Sequence, residues 1–260
     1  MRLLSVARDL RRRHARENLR LFVAEGLRTV DELLKSPIVI RGALIADGVS
    51  ESDRHLAILS ALKDRDVPLQ QVSASDFASA ADTDRPQGIL AIAEVPKLEL
   101  ASVLPLPETQ SVRVIVLDAV QDPGNAGTIV RTAAALGATA TLSLPGTVDL
   151  WNGKVVRSSM GALFHHPSLT CTWEELASFL SRINAELWGA EAGGVPLSEV
   201  VREPASIPLQ LAIAVGNEGK GLSAQTKGVA SKLVAVEIGP GVESLNVAVA
   251  TGILLYELRR

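Results

Sequence analysis

Short apolar runs alternate with helix-forming stretches along most of the 260 residues, and one run, Leu209-Gln-Leu-Ala-Ile-Ala-Val215, is apolar almost throughout. Such a run suits a strand buried on both faces, as in the interior of a parallel sheet. Val112–Leu117, Ala140–Leu144 and Val234–Ile238 predict further strands, with helices over Ala126–Leu136, Glu174–Asn184 and Leu245–Leu258. Strands alternating with helices imply an α/β fold whose C-terminal part is a mostly parallel sheet with helices on both faces.

Pro96, Pro105 and Pro107 interrupt this pattern. They block regular structure, so residues 96–110 read as a linker between a domain at 1–95 and a domain at 111–260. The first domain repeats the alternation on a smaller scale. Helices are predicted over residues 2–17, Gly26–Lys35 and Asp53–Lys63, and strands over Gly42–Ala46, Pro68–Val72 and Ile89–Ala93. It is a small α/β unit without a catalytic constellation of its own.

Composition narrows the function classes. A net charge of −3 excludes a polycation that coats nucleic acid indiscriminately. Residues 1–20 nevertheless hold seven arginines against two acids, a net of +5 that leaves −8 for the remaining 240 residues. Arg11, Arg12, Arg13 and Arg16 are thus candidate contacts to a polyanion, although a solvated helix face explains the charge equally well. Cys171 is the only cysteine, which excludes a disulfide scaffold or a cysteine-rich zinc site. None of the four histidines has metal-ligand spacing, so no metal is expected, and the adjacent His165 and His166 read as loop or surface residues. No apolar run is long enough to span a membrane, and the arginine-rich start does not suit a secretory signal, so a cytoplasmic protein is expected.

Three loops carry the candidate chemistry: Asp122-Pro-Gly-Asn-Ala-Gly-Thr-Ile-Val-Arg131, Gly216-Asn-Glu-Gly-Lys-Gly-Leu-Ser223 and Glu243-Ser-Leu-Asn-Val-Ala-Val-Ala250. Each lies between a strand-like run and a helix-like one, where open α/β sheets bind ligands. In the first, Asn125 can cap the helix and leave its N–H groups for an anion, or form an ordinary turn. Arg131 falls in an apolar stretch where an unpaired guanidinium is costly, so it requires a carboxylate or an anionic substrate. Glu218 is its natural partner, in a site or in a structural salt bridge. The second loop matches neither GxxxxGK[ST] nor GxGxxG, which disfavours a nucleotide-dependent oxidoreductase. Ser244 and Asn246 are either caps or site residues.

These motifs, in this order, resemble the three signatures of the SpoU (TrmH) family of SPOUT-class RNA 2′-O-ribose methyltransferases. Val156-Arg-Ser-Ser-Met-Gly-Ala-Leu-Phe164 adds to the resemblance, and Phe22-Val-Ala-Glu-Gly and Gln87-Gly-Ile resemble the family's N-terminal substrate-binding domain, a small α/β domain of ribosomal-protein type. One departure is Val236-Glu237, where the family usually has Ile-Pro. The resemblance implies a deep trefoil knot, a homodimer, S-adenosylmethionine as methyl donor and a ribose 2′-hydroxyl as acceptor. It places Gly216, Asn217, Gly221, Val236, Ile238, Leu245 and Asn246 around the cofactor, and Arg131, Asn125, Glu218, Ser244 and Asn246 at the reaction centre.

An arginine base is disfavoured by a guanidinium pKa above about 12, so Arg131 is expected to grip an RNA phosphate while Glu218 orients it. The N-terminal domain favours 23S ribosomal RNA as substrate over tRNA. A knotted RNA-binding protein with a lapsed site is the alternative, but Asn125, Arg131 and Asn246 are all present.

Overall fold

The computed structural model describes residues 2–48, 52–103 and 111–259. Pro105 and Pro107 of the expected linker lie outside the described residues. The chain forms two compact units, one of residues 1–97 with 151–165 and one of residues 98–150 with 166–260.

The first unit begins with α1 (Leu3–Asp9), α2 (Arg13–Leu19), β1 (Leu21–Glu25), α3 (Leu27–Leu34), β2 (Ile40–Ala46), α4 (Asp53–Asp64), β3 (Leu69–Val72), α5 (Ala74–Ala80) and β4 (Ile89–Glu94). Its sheet runs β1-β4-β2-β3, antiparallel except where β2 meets β3. Leu3, Ala7 and Leu10 of the first helix and its end pack with Leu44, Phe77, Leu90 and Ile92 in one core. The single helix expected over residues 2–17 is broken in two. The Arg16 guanidinium turns inward at the break and donates to the carbonyls of Leu10 at 2.8 Å and Arg11 at 3.0 Å. β1 lacks polar alternation and α5 is short and rich in alanine and serine, so neither was legible from periodicity.

The second unit follows with β5 (Val112–Asp118), α6 (Pro123–Ala135) and β6 (Ala140–Ser143). The chain then contributes α7 (Gly153–Ser158) to the first unit. There Trp151 and Phe164 lie 4.5 and 5.8 Å from the ring of Phe22, a side chain with no solvent exposure. The segment 151–165 is therefore part of the first unit's core.

The remaining elements are β7 (Ser168–Thr170), α8 (Trp173–Arg182), β8 (Glu186–Pro196), α9 (Leu197–Val200), β9 (Gln210–Gly216), α10 (Ala224–Val229), β10 (Lys232–Ala235) and α11 (Val247–Leu258). Six parallel strands in the order β10-β8-β9-β5-β6-β7 form the sheet, flanked by helices. β5 and β9 sit at its centre and are buried, as the apolar run Leu209–Val215 requires. β10 stops at Ala235, so Val236 and Ile238, expected in a strand, lie in the loop that follows. His166 is buried rather than on the surface: its Nε2 meets the Thr141 hydroxyl at 2.9 Å, and burial pulls its pKa down to about 4. Cys171 is also buried, and burial with the nearby Glu175 charge pushes its thiol up to about 12. No described helix is long and apolar enough to cross a membrane.

Candidate active site

β5 and β9 are neighbours in space, and the strand order changes direction between them. Their last residues, Asp118 and Gly216, lie side by side in register, so the loops that follow emerge together at the carboxyl edge of the sheet. Ligands bind at such switch points because diverging loops leave a crevice there.

Helix α6 starts earlier than expected. Asp122, not Asn125, is its N-cap, accepting the Asn125 N–H at 2.8 Å, with Pro123 in the first turn. Asn125 is thereby released from capping and points its amide elsewhere. Its Nδ2 donates to Glu218 at 3.0 Å, and its Oδ1 accepts from Asn246 Nδ2 at 2.9 Å. Asn246 is itself the N-cap of α11, its Oδ1 accepting the N–H groups of Ala248 at 2.9 Å and Val249 at 3.3 Å. The polarity of this relay is fixed at both ends: an ionised carboxylate only accepts, and an oxygen that takes main-chain N–H groups leaves the amide nitrogen to donate. One residue from each loop is thus joined in a single network.

Glu218 also accepts the main-chain N–H groups of Asp122 at 3.1 Å and Gln121 at 3.3 Å. Partial burial opposes its ionisation, but hydrogen bonds from Asn125, Asp122 and Gln121 outweigh it and hold the carboxyl below its ordinary range. The expected Arg131–Glu218 pair does not form. Arg131 projects from α6 into solvent and makes no ion pair among the described residues, while Glu218, expected to be buried, is exposed and engaged by the loop. The physical reason is α6 itself: Ile129, Val130 and Ala133 take its buried side, leaving Thr128, Arg131 and Ala135 outside.

The loop after β9 folds back on itself. Asn217 and Gly221 exchange main-chain hydrogen bonds of 3.0 and 2.9 Å, and the Asn217 side chain donates to Ala119 O at 3.0 Å while accepting from the N–H groups of Gly219 and Lys220 at 3.0 Å. A Cβ on Gly216 would sit 2.3 Å from the carbonyl carbon of Gly221, so only glycine allows this closure.

Beside the loop is a cavity of about 610 Å³. Gly216, Asn217, Gly221, Val236, Ile238, Leu245, Asn246, Ser244 and Glu218 all line it, with apolar walls from Val215, Val234 and Leu254. Sequence reasoning missed Glu191 of β8, which also lines the cavity. Lys227 holds one of its carboxylate oxygens at 3.0 Å, and the other is sheltered with no hydrogen-bond partner among the described residues. Three neighbouring small residues and Gly193-Gly194 had concealed the strand that carries it. Arg131 is not part of the cavity wall.

The arginines of the first unit are less available than their number suggests. Arg16 is buried, and its guanidinium serves the α1–α2 break, so it cannot act as an RNA contact. Arg12 pairs with Asp9, Arg13 with Glu17 at 2.7 Å, and Arg11 reaches Ser79 O at 3.3 Å with Asp82 3.9 Å away. Arg11, Arg12 and Arg13 remain at the surface, with their charge partly offset by these acids.

Residues 112–256 match the SpoU rRNA Methylase family, and residues 6–91 match an MRM3-like substrate binding domain. The chain is 34% identical over 97% of its length to the 23S rRNA (guanosine(2553)-2'-O)-methyltransferase RlmP of Bacillus subtilis, covering 94% of that protein. It is 29% identical over its whole length to the human mitochondrial rRNA methyltransferase 3, covering 72% of it. The AdoMet-bound rRNA methyltransferase from Sinorhizobium meliloti superposes with a TM-score of 0.82 at 25% identity, over 99% of this chain and 94% of that one.

Proposed function

The chain belongs to the SpoU rRNA methylase family, and on that premise we propose that it transfers a methyl group from S-adenosylmethionine to a ribose 2′-hydroxyl of 23S ribosomal RNA. The observation that carries this reading is the Glu218–Asn125–Asn246 relay at the rim of the cavity.

The residues fit the cofactor. A cavity of about 610 Å³ lies in the usual range for small-molecule sites, and it combines apolar walls, main-chain polar groups and an unfilled carboxylate acceptor. Val236, Ile238 and Leu245 would hold the flat apolar part, and the main chain of Gly216, Asn217 and Gly221 its polar edge. Bound S-adenosylmethionine supplies an activated sulfonium methyl. The protein's share of the work is therefore alignment of the acceptor oxygen and removal of its proton. After the relay is satisfied, the amides of Asn125 and Asn246 each keep a second N–H, which can orient ribose oxygens. Glu218, held ionised and below its ordinary pKa, is a poor proton acceptor at neutral pH and serves to orient Asn125. Ser244, on the exposed loop before α11 and in the cavity lining, helps to position the ribose. Arg131, directed to solvent, grips the phosphate beside the reacting nucleotide.

In the same reading, residues 1–95 bind the substrate RNA, residues 96–110 link, and residues 111–260 catalyse. Support for a homodimer comes from α11, where Val249, Gly252, Ile253 and Tyr256 form an i, i+3, i+4, i+7 stripe in which Val249 and Tyr256 are more than half exposed. A second copy of this chain would cover it. The motif resemblance to the SPOUT class supports a trefoil knot in the C-terminal chain, and the likeness to the Bacillus subtilis enzyme supports a cytoplasmic location.

The test is to map 2′-O-methyl groups in ribosomal RNA with and without the protein and labelled S-adenosylmethionine. A new mark in 23S rRNA is expected. Methylation of tRNA alone would overturn the substrate, and no saturable cofactor binding would overturn the activity.

A further inference from the structure

We infer that Asp118, which lies outside the three motifs, is the positioning residue that holds the glycine-rich loop 216–223 in its cofactor-binding shape; this rests on the functional reading above. Asp118 ends β5 and is only 2% exposed. A buried carboxylate needs strong donors, and Asp118 has two on the same oxygen. Its Oδ2 accepts the main-chain N–H of Ser223 at 2.7 Å and the hydroxyl of Thr226, a residue with no solvent exposure. Ser223 and Thr226 are in turn bonded to each other, through Thr226 N–H to Ser223 Oγ at 3.1 Å and between the two hydroxyls at 3.1 Å.

The loop has two ends, and residues 118–119 fasten both. Asn217, at its start, donates to Ala119 O at 3.0 Å, and Ser223, at its end, donates to Asp118. Between these points Leu222 is buried in the core, whereas Gly219, Lys220 and Gly221 line the cavity and carry no buried side chain of their own. Glycine-rich backbone is costly to order, so a loop left loose at one end would have to be ordered when the cofactor binds. The tie at Asp118 sets that order beforehand, which favours binding. Among the described residues, the Asp118 side chain does not line the cavity and makes no hydrogen bond to Asn125, Glu218 or Asn246. Its effect therefore falls on cofactor affinity.

Calorimetric titration of S-adenosylmethionine into wild type, Asp118→Leu, Asp118→Asn and Thr226→Val, below their melting temperatures and beside an RNA-binding measurement, tests this. Loss of a charge-assisted hydrogen-bond pair should raise the cofactor Kd by at least about tenfold in Asp118→Leu, and loss of the hydroxyl arm by roughly fivefold in Thr226→Val. Asp118→Asn, which keeps an acceptor oxygen, should recover most of the affinity, and RNA affinity should stay unchanged in all three. Amide exchange at Ser223 should quicken in step with Kd. A folded Asp118→Leu protein with wild-type cofactor affinity would overturn the inference. If that variant does not fold, Thr226→Val with wild-type affinity and unchanged Ser223 exchange overturns it. Wild-type protein that binds no S-adenosylmethionine overturns the functional reading and this inference with it, whereas wild-type binding with unaltered variants overturns this inference alone.

Discussion

The donors around Glu218 outweigh the partial burial that opposes its ionisation and hold its carboxyl below the ordinary range. Glutamine in its place keeps one acceptor oxygen for Asn125 and Asp122, which share Oε1, but it sets an NH₂ against the Gln121 N–H and removes the charge that strengthens the bond to Asn125, so the hold on the relay weakens. Glu218→Gln is expected to lower kcat by at least about tenfold, with a small change in melting temperature; normal turnover would show the relay to be dispensable. Arg131→Lys is expected to weaken RNA binding and turnover by about tenfold while cofactor affinity is unchanged, because an ammonium cannot make the bidentate phosphate contact. Near-normal turnover would rule out that role for the arginine. His166 governs a different property. Its folded pKa of about 4 lies below the ordinary value of 6.5, so the unfolded chain binds the extra proton first. Stability is complete above about pH 6.5 and is lost as pH falls towards 4, by up to about 3 kcal/mol. His166→Gln should flatten the melting temperature across that window, and an unchanged slope would place the titration elsewhere.

At the scale of elements, two contacts decide whether an element reaches its place. Arg113 of β5 is buried, and it donates to Leu258 O at the end of α11 and to Leu209 O at 2.7 Å. A cation at a helix C-terminus complements the carbonyls left open there. Arg113→Met should cost about 3 kcal/mol, read as a lower denaturation midpoint with faster amide exchange in the last turn of α11. Gly161 follows α7 with φ of +92°, and a Cβ there would lie 2.6 Å from Glu32 Cβ. Gly161→Val should therefore destabilise the first unit by several kcal/mol, roughly 3, through strain and overlap together. Wild-type stability would mean that the segment 151–165 adjusts freely. The elements also show where periodicity misled. The Arg-rich opening reads as one helix because its apolar spacing is helical, yet the carbonyls of Leu10 and Arg11 are taken by a side chain from beyond the break. Likewise β8 is eleven residues long but holds Gly189, Gly193 and Gly194, so its pairing with β9 and β10 comes from neighbours and not from its own pattern.

Across the whole molecule, the first unit draws its core from two distant parts of the sequence. A fragment of residues 1–97 lacks Trp151 and Phe164 and leaves Phe22 uncovered, so it should bind a hydrophobic dye and unfold in urea without the cooperative transition of the full chain. A fragment that excludes the dye and unfolds cooperatively would show that residues 151–165 are a dispensable covering. The sequence by itself determined the α/β class, the buried central strand at Leu209–Val215 and the three loops, since these rest on local period, on turn chemistry and on short motifs. It also placed Asn125, Glu218 and Asn246 in one site, although not their partners. Only the tertiary structure decided that Glu218 serves Asn125 instead of Arg131, that Arg16 and His166 are interior, and that Asp118 fastens the glycine loop. These depend on which side of an element faces inward and, for Glu218 and Asp118, on contacts between residues about 100 positions apart. Hydrogen-bond geometry of that kind is set when the sheet assembles, and no local pattern encodes it.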